Sequence, residues 1–285
     1  LRVWYGSANT WRVAVFGPTG ERDIYQTPAG IHVWDFERNA VNETAGDLPI
    51  RLPSGADLLP PTMARRLLGA ARDAPMVGIA SRRIAGISAA GLRMTPADPD
   101  TTVGSVSIWA DPRTGLPLQV EVTARGADTP VISTRFIELA QTAPDPGLLA
   151  PVIPDQAGFS VTSGQRVLDA LGTLSPVPLP PVVANRSRTP GVSTVVGVGS
   201  YGDGLSTFVV VSLRGRNGAR TFEKIRDSGA IPLAMAGGQA YQAAIPLLSM
   251  LVVRADGPRG RIYLLAGAVT PELLAQAGAE LLAPR

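Results

Sequence analysis

The chain has 285 residues, 45% of them hydrophobic and 17% charged, which suits one large domain or two ordinary ones with a real core and excludes a disordered polymer. A pI near 9.7 goes with a net charge of only +3. Arg65-Arg66 and Arg82-Arg83 are mere pairs, Lys224 is the single lysine, and acids are interspersed, which argues against a nucleic-acid partner.

Cysteine is absent, so disulfides, thiol nucleophiles and Cys-metal sites are removed together. Leu1 to Tyr5 already reads as a strand, and the chain is expected to follow a removed segment through which any membrane association would run. The longest apolar stretch, Ala243 to Val253, is broken by Pro246 and Ser249. It is about half of the ~20 residues that span a bilayer, which makes it a core segment.

Residues 1 to about 140 show short alternating strands between Gly/Pro/Asn/Asp turns, the pattern of an antiparallel meander. Leu1–Tyr5 leads to a turn at Gly6–Asn9, and Trp11, Val13 and Val15 then share one face. Ile24–Thr27 and Ile31–Phe36 pair through Pro28-Ala29-Gly30. Pro60-Pro61-Thr62 signals a helix start with Thr62 as N-cap. Met63, Leu67, Leu68 and Ala71 recur at helical spacing, and Asp73 and Pro75 end the helix; its apolar stripe needs a sheet to lie on. The clearest hairpin joins Val103–Trp109 to Leu116–Val122 through Asp111-Pro112 and Gly115. A strand at Val131–Leu139 follows, and the Pro-rich stretch 142–158 is the expected domain break.

The second half predicts a short helix at Gly164–Leu171, a Pro-rich connector at Pro176–Pro181, and strands at Val182–Asn185, Val192–Val198 and Leu205–Leu213. A helical turn is expected near Phe222–Ile225, and Ala240–Val253 is open between helix and strand. A strand at Arg261–Leu265 precedes a terminal helix capped by Thr270, with Pro271 at its first position and Glu272 in its first turn.

Sites that could carry chemistry are sparse. His32, the only histidine, alternates with Ile31 and Val33 and reads as a sheet-face residue, with no nucleophile or second acid signalled beside it. Asp98-Pro99-Asp100 lacks the ligand series of a calcium loop and reads as a turn. Gly197-Val-Gly199-Ser-Tyr-Gly202 matches a dinucleotide-binding glycine pattern, but a strand follows where a helix must, so it reads as a hairpin turn. All four tryptophans, Trp4, Trp11, Trp34 and Trp109, fall in the first half. Ordinary core and the lining of a cavity for apolar ligands are both open readings of them.

The strands carrying Val3-Trp4-Tyr5, Arg12-Val13 and Val33-Trp34-Asp35, the amphipathic helix, and above all the hairpin with Trp109, Asp111, Gly115, Leu116-Pro117-Leu118 and Val120 resemble the LolA-like lipoprotein-carrier superfamily. Within it the RseB/MucB-type and actinobacterial LolA-like proteins look nearest. Gly260–Gly267 followed by Thr270–Ala277 is similar to the terminus of RseB-type second domains. The resemblance implies an α+β fold with a half-open antiparallel barrel or curved sheet over helices, followed by a smaller α+β domain. On this reading the lipid-binding domain is 1–141, the linker 142–158 and the smaller domain 159–285.

The resemblance further implies an extracytoplasmic, non-enzymatic protein without a cofactor or metal. It would hold acyl chains of a lipid or acylated lipoprotein, as carrier or chaperone. The alternative is an RseB-like envelope-stress regulator that binds an anti-sigma factor or another membrane protein, such as a transporter component. The expected cavity lining is Trp4, Trp11, Val13, Val15, Trp34, Met63, Leu67, Leu68, Ile108, Trp109, Val120 and Phe136.

Overall fold

A computed structural model of the chain describes residues 1–285 other than 8, 19, 46–54, 72–73, 153, 164–177, 191–194, 258–259 and 284–285. The chain divides into two compact units, one formed by 1–59 with 138–171 and the other by 60–137 with 172–285. These differ from the contiguous domains 1–141 and 159–285, because both halves of the sequence contribute to each unit.

The first unit is built on one open sheet. Its strands β1 (Arg2–Ser7), β2 (Thr10–Phe16), β3 (Glu21–Thr27), β4 (Gly30–Asp35) and β5 (Ala40–Ala45) form the expected meander with one strand more. The sixth strand, β11 (Gly158–Ser163), pairs parallel with β5. It begins at Gly158, the last residue of the stretch expected to be linker, which holds a 3-10 turn at Pro146–Leu148. Strand alternation sends Val13 and Ile24 to one face, where Ala56 closes over them and Val3, Trp11, Val15, Ile31, Val33 and Leu59 pack alongside.

The second unit starts with helix α1 (Pro60–Ala70), which lies on the sheet β10-β9-β8-β7-β6. The helix begins at Pro60, so Thr62 sits inside its first turn and is not its cap. Two prolines open it because first-turn N–H groups need no intrahelical partner. Strands β6 (Met76–Ile84) and β7 (Ile87–Met94) were not expected. β8 (Val103–Ala110) and β9 (Pro117–Ala124) form the predicted hairpin, and β10 (Pro130–Arg135) ends short of Leu139. At the β8–β9 turn Asp111 accepts from the Arg113 N–H and the Thr114 hydroxyl, and Gly115 takes φ +71.

The remaining sheet runs β14-β15-β19-β18-β17-β16. It comprises β14 (Val198–Tyr201), β15 (Phe208–Leu213), β16 (Ile231–Met235), β17 (Gly238–Ile245), β18 (Leu248–Ala255) and β19 (Ile262–Gly267). The ambiguous Ala240–Val253 segment is therefore a hairpin. The glycine run is part strand and part turn, since Gly199 lies in β14 while Gly197 precedes it in a turn and Gly202, at φ +83, opens the connection of the β14–β15 hairpin. Val182–Asn185 gives a two-residue strand β12 (Val182–Val183), which turns through Ala184 and Asn185, both at positive φ, into β13 (Arg186–Ser187). The helix expected at Gly164–Leu171 and residues 192–194 of the Val192–Val198 strand lie outside the described residues.

One helix covers each face of this sheet. Helix α3 (Pro271–Leu282) buries Leu273, Leu274, Ala277 and Leu281 against Leu251, Val253 and Leu265. The Thr270 hydroxyl accepts from the Leu273 N–H, as its sequence predicts. Helix α2 (Gly215–Asp227), far longer than the single turn expected, places Phe222 on Val252 and Ile262. The five-stranded and six-stranded sheets of this unit are joined at Thr101, whose hydroxyl lies 2.9 Å from both the Leu205 and the Ala268 carbonyl oxygens.

Candidate functional site

Hairpin register in the first unit assembles one cross-strand row. Trp4 faces Arg12, Arg12 faces Tyr25, Tyr25 faces His32, and His32 faces Glu43. Paired residues share a face, so all five project from the side opposite Trp11, Val13 and Val15. Asp23 and Trp34 pair in the adjoining row on that same side.

The row is organised around a buried ion pair. Arg12 reaches Asp23 Oδ2 at 2.6 Å, and Asp23 is fully buried. The Tyr25 hydroxyl donates to the same oxygen at 3.2 Å. The Arg12 guanidinium lies 4.6 Å from the Trp4 ring centroid and 5.2 Å from that of Tyr25. Burial, and next the Asp23 carboxylate, push the Tyr25 phenol up to about 12. His32 Nε2 stands 3.9 Å from a Glu43 oxygen. Arg12 Nε, Asp23 Oδ1 and His32 Nδ1 are buried without a hydrogen-bond partner. Such atoms cost about 1–3 kcal/mol each when left unsatisfied, so this face carries three polar atoms that the fold's own groups do not pair.

Within each unit the residues expected to line a cavity lie on more than one face. Trp11, Val13 and Val15 are together under Ala56 and Leu59. Trp34 lies on the other face with Tyr25, Val41 and Ala157, edge-on to Phe36 at 5.2 Å. In the second unit Met63, Leu67 and Leu68 pack directly on the layer containing Ile108 and Val120. Trp109 points away from that layer, because successive strand residues alternate, and its indole N–H donates to the Ala80 carbonyl at 2.9 Å. Phe136 follows β10 half-buried, with its N–H donating to the Leu118 carbonyl.

Arg12, Asp23, Tyr25 and Glu43 were not among the residues singled out. A signal existed in the turn chemistry, which sets hairpin register and thereby places Arg12 across from Tyr25. His32 lies on a sheet face, as its alternation with Ile31 and Val33 predicts. Asp98 and Asp100 are engaged by Arg186 at 2.9 and 2.7 Å rather than arranged around a cation. Among the described residues no helix is long and apolar enough to cross a membrane.

No protein-family model matches the chain, and no curated protein matches it. Solved structures similar to it include MucB in complex with MucA(peri), at 18% identity and TM-score 0.44, covering 94% of this chain and 85% of that one. The Pseudomonas aeruginosa MucA/MucB complex stands at 18% and 0.45 with the same coverage, and MucB alone at 16% and 0.41, covering 94% of this chain and 84% of that one. A likeness this loose carries no argument about fold or function.

Proposed function

We propose that this chain is a non-enzymatic binding protein of the RseB type, acting outside the cytoplasm, whose partner is a membrane protein such as an anti-sigma factor. The observation that carries this reading is edge strand β10. Val131 and Ile132 are 45% and 37% exposed, and Ile137 just beyond is 81% exposed. An open edge with apolar side chains is a template for an added strand, in which main-chain bonds give affinity and side-chain pockets give choice. The α1 layer favours a protein over an acyl chain, since Ile108 and Val120 are already covered by the chain's own Met63, Leu67 and Leu68.

The direct test is calorimetry of the full chain with the purified extracytoplasmic segment of a membrane anti-sigma factor from the same genome. Saturable binding weakened at least tenfold by Ile132→Asp is expected, and its absence would overturn the reading. A second reading, acyl-chain binding, is favoured by Trp11, which is only half-buried on the apolar face it shares with Val13, Val15 and Val33. A fluorescent fatty acid titrated against tryptophan emission tests it, and an unsaturable or absent response excludes it.

A further inference from the structure

The chain's net charge is concentrated on one element. Between Arg214 and Asp227 stand five bases (Arg214, Arg216, Arg220, Lys224 and Arg226) against two acids, Glu223 and Asp227, a net of +3 that equals the formal charge of the whole chain. Elsewhere bases and acids balance.

Helix geometry turns this excess into a line. Arg216, Arg220 and Lys224 recur every fourth residue, so they share one face and span about 12 Å. The opposite face is fixed by the core, where Phe222 is fully buried with Val252 and Ile262 while Ala219 and Ile225 pack alongside. Arg216, Arg220 and Lys224 are all exposed and in no ion pair among the described residues, and of the two acids on the same outward side, Glu223 and Asp227, the second is held by Arg226 at 2.8 Å.

Folding does not account for the stripe. Like charges four apart destabilise a helix slightly. The first turn holds Arg216 and no acid, where the helix dipole disfavours a cation. The cost is small and falls on Arg216 and Arg220, since Lys224 stands in the last turn, where the dipole favours a cation. For the first two bases an external anion supplies a reason that the helix does not.

We infer that the outward face of α2 docks on an anionic phospholipid surface through Arg216, Arg220 and Lys224. A lipid surface rather than a protein fits this face because its exposed positions offer no apolar anchor. Protein interfaces concentrate energy in buried aromatic and aliphatic anchors and deplete charge from their centres. A bilayer of acidic lipids needs only a flat array of cations, each contributing independently and screened by salt. This assignment does not depend on the protein partner proposed above.

The test is co-sedimentation of the full chain with phosphatidylcholine vesicles prepared with and without phosphatidylglycerol. Binding is expected only with phosphatidylglycerol and is expected to fall steeply with salt. Neutralising the stripe as Arg216→Gln/Arg220→Gln/Lys224→Gln should weaken it about fivefold per base, on the order of 100-fold in all. A charge-matched control, Arg65→Gln/Arg83→Gln/Arg113→Gln, should bind as the parent does, and circular dichroism confirms that both variants fold. Equal loss in both variants, or indifference to phosphatidylglycerol, overturns the assignment. A chain that ignores the vesicles but captures polyglutamate through the same three bases also overturns it, in favour of an acidic polypeptide.

Discussion

The Arg82 guanidinium lies 3.8 Å from the centroid of the Trp109 ring while pairing with Glu121 at 2.7 Å. Arg82 thus roofs an indole whose N–H is already held by Ala80 at a bulge in β6. Trp109 is only 2% exposed although it sits on the side of the sheet away from α1. Arg82→Ala should uncover the ring, shift its emission to longer wavelength and cost about 1 kcal/mol in urea unfolding.

Gly91 is the floor of the same arrangement. A Cβ there would meet Ile79 Cγ1 at 2.6 Å, Trp109 Nε1 at 2.8 Å and the Ala80 carbonyl oxygen at 2.9 Å. Gly91→Ala should therefore destabilise the second unit by about 1–3 kcal/mol. Its urea midpoint should fall, and Trp109 emission should change with it.

The Arg12–Asp23 pair predicts an asymmetry between breaking and replacing. Arg12→Leu leaves the fully buried Asp23 carboxylate without its cation and should cost about 3–5 kcal/mol. Arg12→Leu with Asp23→Leu and Tyr25→Phe removes all three interacting groups and should recover most of that loss. Denaturant midpoints of the two variants check this, and a triple variant weaker than the single one would contradict it.

Tyr25 should be visible in a spectrophotometric titration of the five tyrosines. Its phenol, raised to about 12 by burial and by Asp23, should ionise after ordinary ones. The sign follows from linkage. A raised folded value favours the neutral form, so its stabilisation is complete below the ordinary value of about 10 and is lost as pH rises from there through about 12. Tyr25→Phe should abolish that alkaline loss.

Asp98 predicts the opposite limb. Burial raises its pKa, but the Ser206 hydroxyl and then the Arg186 guanidinium outweigh this and hold the carboxyl below its usual range. A depressed folded value contributes stability above the ordinary Asp value of about 3.9, which is lost as pH falls through the folded one. The gap in melting temperature between parent and Asp98→Asn should be present at pH 7 and close in acid.

Local chemistry was the legible part of this fold. Asp111-Pro112 with Gly115 specified the β8–β9 hairpin, and Thr270-Pro271-Glu272 specified the start of α3, because caps and tight turns act over a few residues. Pairings between distant segments carry no such mark, and Gly158–Ser163 therefore did not read as a strand although it is β11. Helix α2 was hidden by Gly215, Gly218 and an arginine at its N-cap, none of them a start signal. The row through Arg12, Tyr25, His32 and Glu43 was hidden for a different reason. Alternation tells which residues share a face within one strand, whereas a row across strands also needs register. The same step places Trp4 beside Arg12 and away from Val13.

The parallel pairing of β5 with β11 has a consequence for biogenesis. Asn42 donates to the Ser160 hydroxyl across 118 positions of sequence. When β5 leaves the ribosome, its edge partner has yet to be made, and the whole of 60–137 must emerge first. That inserted stretch in turn belongs with residues translated still later. Neither unit can be finished by a vectorial, front-to-back route, and so many non-local closures slow the search for the native state. Nascent chains arrested before residue 158 should thus expose the β5 edge, a binding platform for holdase chaperones that the finished protein no longer offers.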